Sequence, residues 1–106
     1  LTKALELMLT GQKISAQEAL AMGMVNQIVP AADLNATVNQ MAQQFANAPT
    51  KAIGLIKQAV SFASTSTLEA ALHKEAALQG VAGNSADHME GVAAFLEKRP
   101  AIFKGE

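Results

Sequence analysis

The sequence contains no cysteine, no tryptophan and no tyrosine. Without cysteine, neither a disulfide nor a thiolate metal site can form. That absence fits a cytoplasmic protein, where thiols rarely carry the fold. The only aromatic residues are four phenylalanines. No apolar run approaches the roughly 18–20 residues of a membrane-crossing helix, so no membrane partner is expected. No secretory signal is visible at the start, where an amphipathic pattern is already under way. Charge of one sign is lacking too, with eight basic against nine acidic residues and a net charge of −1. The basic residues are scattered apart from Lys98-Arg99, which argues against a nucleic-acid footprint.

What is abundant is alanine, within a chain of 106 residues that is 50% apolar. Alanine favours helix because it loses no side-chain entropy there. It also buries little area, at roughly 25 cal/mol per Å². A chain of this size and make-up forms only a modest core and is expected to lean on further protein.

The pattern predicts about six helices and one short strand. Ala4, Leu5, Met8 and Leu9 mark a helix that is already running at the start and stops at Thr10-Gly11. Ser15-Ala16-Gln17-Glu18 is a capping box for a short helix ending at Gly23. Residues 24–29, rich in β-branched side chains and followed by Pro30, read as a strand. Asp33 is the expected N-cap of a helix over residues 34–47, whose Leu34, Val38, Met41 and Phe45 share one face. Pro49 fits the first turn of the next helix, with Ala52, Ile53, Ile56, Ala59 and Val60 in its stripe. Ser66 and Glu69 suggest a second capping box, before a helix that Gly80 and Gly83 weaken at its end. Asn84 or Ser85 caps the last helix, over residues 86–98, with Met89, Val92, Ala93 and Leu96 as its core face and Pro100 as its stop.

Little in this pattern carries chemistry. His73 and His88 lack spaced partners that resemble a metal site, and they read as surface or helix-end residues. Glu69, Glu75, Glu90 and Glu97 read as solvated faces and cap charges. Phe95 and Lys98 stand three apart on the last helix and so share a face. A ring beside an ammonium group can stack on a nucleobase and pair with phosphate. Spacing alone favours a core-edge ring and a helix-end cation.

Three stretches together resemble the C-terminal third of the enoyl-CoA hydratase/isomerase (crotonase) family. The first runs Leu5-Glu6-Leu7-Met8-Leu9-Thr10-Gly11, then from Ile14-Ser15-Ala16-Gln17-Glu18 to Val25-Asn26, with Val29-Pro30 after it. The second is Ala48-Pro49 with the helix through Lys57. The third is Glu90-Gly91-Val92-Ala93-Ala94-Phe95-Leu96-Glu97-Lys98-Arg99-Pro100 with Phe103-Lys104-Gly105, in which Pro100 stands one place before the family's proline.

The resemblance implies a mainly α fold class, the helical oligomerisation part of a crotonase-type α/β spiral fold. Residues 1–30 would be the tail end of the core, and residues 31–106 the C-terminal helical region. It also implies a thioester-handling enzyme, which holds an acyl-CoA carbonyl in an oxyanion hole and moves protons with acidic side chains. Those segments precede Leu1 in the family, so no catalytic residue is assigned and this piece alone is expected to be inactive. No cofactor is implied beyond coenzyme A, which enters as the substrate thioester. Phe95 and Lys98 match the positions that contact CoA in several members, often in a neighbouring subunit's site; Lys104 is a weaker phosphate candidate. The implied partners are an acyl-CoA and further copies of the chain, as a trimer or hexamer. Hydration of a 2-enoyl-CoA is the expected reaction of the parent. The alternatives are double-bond isomerisation and a non-catalytic helical oligomerisation module.

Overall fold

A computed structural model describes residues 2–106. Six α-helices follow one another: α1 (Thr2–Thr10), α2 (Ala16–Ala21), α3 (Leu34–Ala46), α4 (Thr50–Ala63), α5 (Leu68–Gly83) and α6 (Ala86–Glu97). The chain divides into two compact units, Leu1–Val38 and Asn39–Glu106, with the division falling inside α3.

In the first unit the expected capping box is present. The Ser15 hydroxyl accepts from the Glu18 N–H at 3.2 Å, and the Glu18 carboxylate accepts from the Ser15 N–H at 2.7 Å. That backbone bond, with one from the Ser15 hydroxyl, holds the Glu18 carboxyl below its ordinary pKa. α2 closes in a Schellman motif: Met24 N–H donates to Ala19 O and Gly23 N–H to Leu20 O, with Gly23 left-handed at φ 73°. The expected strand over residues 24–29 does not form. A ladder needs a second strand to exchange N–H and C=O bonds with, and the described residues contain none. Asp33 is not an N-cap. It closes one turn of 3-10 helix, Ala31–Asp33, that runs straight into α3.

In the second unit α4 and α5 form a helical hairpin. Pro49 stands one place before α4, as its N-cap. The cap of α5 is Thr67, whose hydroxyl accepts from the Ala70 N–H at 3.3 Å. Ser66 instead donates back to Phe62 O at 2.6 Å, which closes the preceding turn. The anticipated stripe of α4 faces α5 across a groove of about 520 Å³, lined by Ala52, Ile56, Ala59, Val60 and Leu78 among others. α5 carries apolar residues all round, so it has no single core face. It also runs through Gly80 to Gly83 without breaking.

Burial in α6 differs from expectation. Met89, Val92 and Leu96 are exposed, whereas Ala94 is 2% exposed and Asp87 4%. Positions 87, 91 and 94 follow helical spacing, so the inward face is made of small and polar residues. The larger apolar stripe is left open. Among the described residues only Leu78 and Ala94 are buried apolar side chains. The accessible surface is 8508 Å². Two separate folded bodies with the lengths of the two units would expose about 6,700 Å². The chain thus exposes more surface than folded bodies of these lengths ordinarily do, and many large apolar side chains lie on it. No helix among the described residues is long and apolar enough to cross a membrane.

Candidate functional site

The C-terminal end of α6 is built by backbone geometry. Arg99 N–H donates to Ala94 O at 3.0 Å and Lys98 N–H to Phe95 O at 3.3 Å. These are the two bonds of a Schellman closure, the motif that also ends α2. At α2 the left-handed place is taken by Gly23; here it is taken by Lys98, at φ 54° and ψ 38°. A side chain in that conformation brings Cβ against the following carbonyl, at a cost of about 1 kcal/mol. Lys98 therefore lies outside the helix, which ends at Glu97. Its Cα–Cβ bond leaves the backbone in a different direction from a helical residue's, so the shared helical face expected for Phe95 and Lys98 is not their relationship.

Phe95 itself is 82% exposed. Its ring lines a groove of about 390 Å³ together with Pro49, His88, Val92, Leu96 and Phe103. The lining does not include Lys98, which is exposed beyond the end of the helix. The site is thus a bare aromatic ring at the mouth of an apolar groove, with a cation held by strained backbone just past it.

The segment after Pro100 is bound back onto α6 by two carboxylates. Arg99 donates from Nη1 and Nη2 to the two oxygens of Glu90, at 2.6 and 2.9 Å, and from Nε to Glu97 at 2.6 Å. Ile102 N–H donates to Glu90 Oε1 at 2.8 Å. The Arg99 hydrogen bonds, and then that backbone N–H, hold Glu90 down to about pKa 2. The side-chain bonds to Glu90 and then to Glu97 raise Arg99 above its ordinary value. One turn earlier, Asp87 accepts from Lys104 N–H at 2.7 Å and from Gly105 N–H at 2.8 Å. Its own N–H donates to Glu106 O at 3.1 Å. Phe103 is thereby held over Gly91.

The sequence reading of Glu90 and Glu97 as solvated charges misses these bonds, and it gives Asp87 no role. A physical signal was available. Two acids three residues apart in the first turns, then a proline stop, a lone phenylalanine and a glycine, describe a tail that can fold back onto its helix. Lys104 contributes its backbone N–H to Asp87 and keeps an exposed side chain. His73 and His88 are both exposed.

A family model described as enoyl-CoA hydratase/isomerase matches residues 1–106. The chain belongs to the enoyl-CoA hydratase/isomerase family. It is 44% identical over 104 residues to 1,2-epoxyphenylacetyl-CoA isomerase of Escherichia coli, covering 98% of this chain and 40% of that protein. It is 40% identical over 105 residues to a probable enoyl-CoA hydratase of Rhodobacter capsulatus, covering 99% and 41%. The crystal structure of enoyl-CoA hydratase from Bacillus anthracis superposes with a TM-score of 0.92 at 35% identity, over all of this chain and 41% of that one. The chain therefore spans about two fifths of the length of these hydratase/isomerase relatives. The mainly helical architecture expected from the sequence is shared with a solved member of the family.

Proposed function

We propose that this chain is the helical, CoA-contacting part of an enoyl-CoA hydratase that adds water to a 2-enoyl-CoA in fatty-acid or aromatic-acid degradation. The carrying observation is the exposure of Phe95, in a chain matched from end to end by the family model. An aromatic ring left 82% exposed at a groove mouth is free to stack on a purine. Lys98, three residues on and just past the helix end, supplies an ammonium group for phosphate. The oxyanion hole and the acids that move protons belong to segments outside this chain, so the piece alone is inactive in this reading. A cytoplasmic location suits a chain without cysteine.

The uncovered apolar faces of α5 and α6 support an assembly role in a homotrimer or hexamer. Leu68 and Leu72 on one helix, with Met89 and Leu96 on the other, are more than half exposed. Isomerisation is a second reading, favoured by the 44% identical relative that is named an isomerase.

Titration of coenzyme A into the full-length protein tests the site. Phe95→Ala and Lys98→Ala are each expected to raise Kd about tenfold, the size of a lost stacking or charge-assisted contact. Unchanged affinity in both variants would leave a helical assembly module with no ligand contact. Turnover of a 2-enoyl-CoA against a positional isomer separates hydratase from isomerase. Light scattering across a concentration series tests assembly, and a monomer throughout would count against it.

A further inference from the structure

We infer that Glu90 is a positioning residue for Lys98, acting through the Arg99 guanidinium. This rests on the reading of Lys98 as a CoA contact.

A non-glycine residue stays left-handed only where its surroundings over-determine it. At Lys98 three constraints converge. Arg99 N–H bonds to Ala94 O, Lys98 N–H bonds to Phe95 O, and the Arg99 side chain is locked on both carboxylate oxygens of Glu90. The first two belong to any Schellman closure. The third is particular to this helix end. α2 closes with the same two backbone bonds and a glycine, and the residue that follows it is Met24, which carries no charge to pair. A two-point Arg–carboxylate fork restricts both position and orientation. Because Arg99 is bonded directly to Lys98 and tied back to α6 through Glu90, the closed loop restricts φ and ψ of Lys98 together, and so the direction in which its Cα–Cβ bond leaves the chain. Glu90 also holds Ile102 N–H, so Arg99–Ile102 is anchored at both ends to one carboxylate of α6, nine residues before Arg99. Glu90 touches no ligand in this scheme. It sets the place of a group that does.

The test uses the full-length protein, with coenzyme A and pantetheine as probes, because pantetheine lacks the phosphates that an ammonium group would meet. Glu90→Gln keeps the size and removes the charge. Arg99→Lys keeps the charge and removes the fork. Both are expected to weaken coenzyme A by about fivefold or more, as for coupled neighbours, and to leave pantetheine unchanged. In a Lys98→Ala background, Glu90→Gln is expected to add less than about twofold. A crystal structure of Glu90→Gln should show Lys98 displaced from its left-handed conformation or disordered.

Equal weakening of both probes would mean a general structural role and overturn the inference. So would a full effect of Glu90→Gln in the Lys98→Ala background, or an unmoved Lys98 with unchanged affinity. If Lys98→Ala itself leaves coenzyme A binding intact, the ligand reading has failed and the inference falls with it. If Lys98→Ala weakens binding while Glu90→Gln does not, the inference alone has failed.

Discussion

The Arg99 guanidinium spans both carboxylate oxygens of Glu90 across nine residues, at 2.6 and 2.9 Å, and so closes the end of α6 into a loop. The pair is part-exposed, and its geometry is the favourable two-point kind. Its pH dependence has a definite sign. Glu90 is held from 4.5 down to about 2, so the unfolded chain binds a proton before the folded one does. Stability from this group is fully present above about pH 4.5 and is lost as pH falls toward 2. Amide exchange of Arg99 and Ile102 measured from pH 6 to 2.5 should therefore accelerate, relative to intrinsic rates, below pH 4.5. In Glu90→Gln that added acceleration should vanish, and its persistence would mean another carboxylate governs the tail.

Asp87 does a related task with backbone partners. Its two oxygens accept from Lys104 and Gly105 while the residue is 4% exposed. Asp87→Asn places an amide N–H₂ against one of those donors and leaves a buried N–H without an acceptor, at about 1–3 kcal/mol. Loss of exchange protection at Lys104 and Gly105, with α4 and α5 unaffected, is the expected outcome. Asp87→Ala should be at least as severe, since both acceptors go.

How far these features were readable in advance depends on whether their cause is local. The Ser15 and Glu18 box needs four consecutive residues, and it formed as expected. The helices over residues 34–46 and 86–97 likewise follow from period and punctuation. Residues 24–29 failed as a strand because a strand is completed by another strand, which composition cannot supply. Thr67 took the cap from Ser66 because either hydroxyl suits the role, and the register of the turn decided between them. At the candidate site, the residue types at 95 and 98 pointed to a ring and a cation. Their mutual placement did not follow, because helical spacing holds only up to Glu97. The stripe of α6 was legible as apolar, but its exposure was not, because the inward face is set by the docking of the tail on Asp87, Gly91 and Ala94.

If Lys98 contacts coenzyme A as proposed, it trades stability for affinity. Its φ of 54° is one that glycine adopts without steric cost. Lys98→Gly should stabilise the closure of α6 by about 1 kcal/mol. The same change deletes the ammonium and should weaken coenzyme A as much as Lys98→Ala does. Lys98→Ala, which keeps a Cβ, should bring no such gain. Thermal melts of the two variants side by side read the difference, and equal melting temperatures would mean the left-handed backbone carries no cost here.

Gly91 and Gly105 should respond oppositely to the same substitution. A Cβ on Gly91 would meet the Phe103 ring at 3.6 Å, an ordinary contact, in the middle of a helix. Replacing glycine by alanine in a helix interior gains about 1 kcal/mol, so Gly91→Ala should raise the melting temperature and leave the tail docked. At Gly105 the φ is +81° and an added Cβ would run into the Thr50 hydroxyl. Gly105→Ala must shift the backbone, and the N–H that Gly105 donates to Asp87 shifts with it. The expected result is a lower melting temperature and faster amide exchange at Lys104, whose N–H also donates to Asp87, and at Asp87, whose own N–H donates to the Glu106 carbonyl. A neutral Gly105→Ala would show that the Asp87 bonds contribute little to docking the tail, leaving Phe103 packing and the Glu90 bonds to hold it.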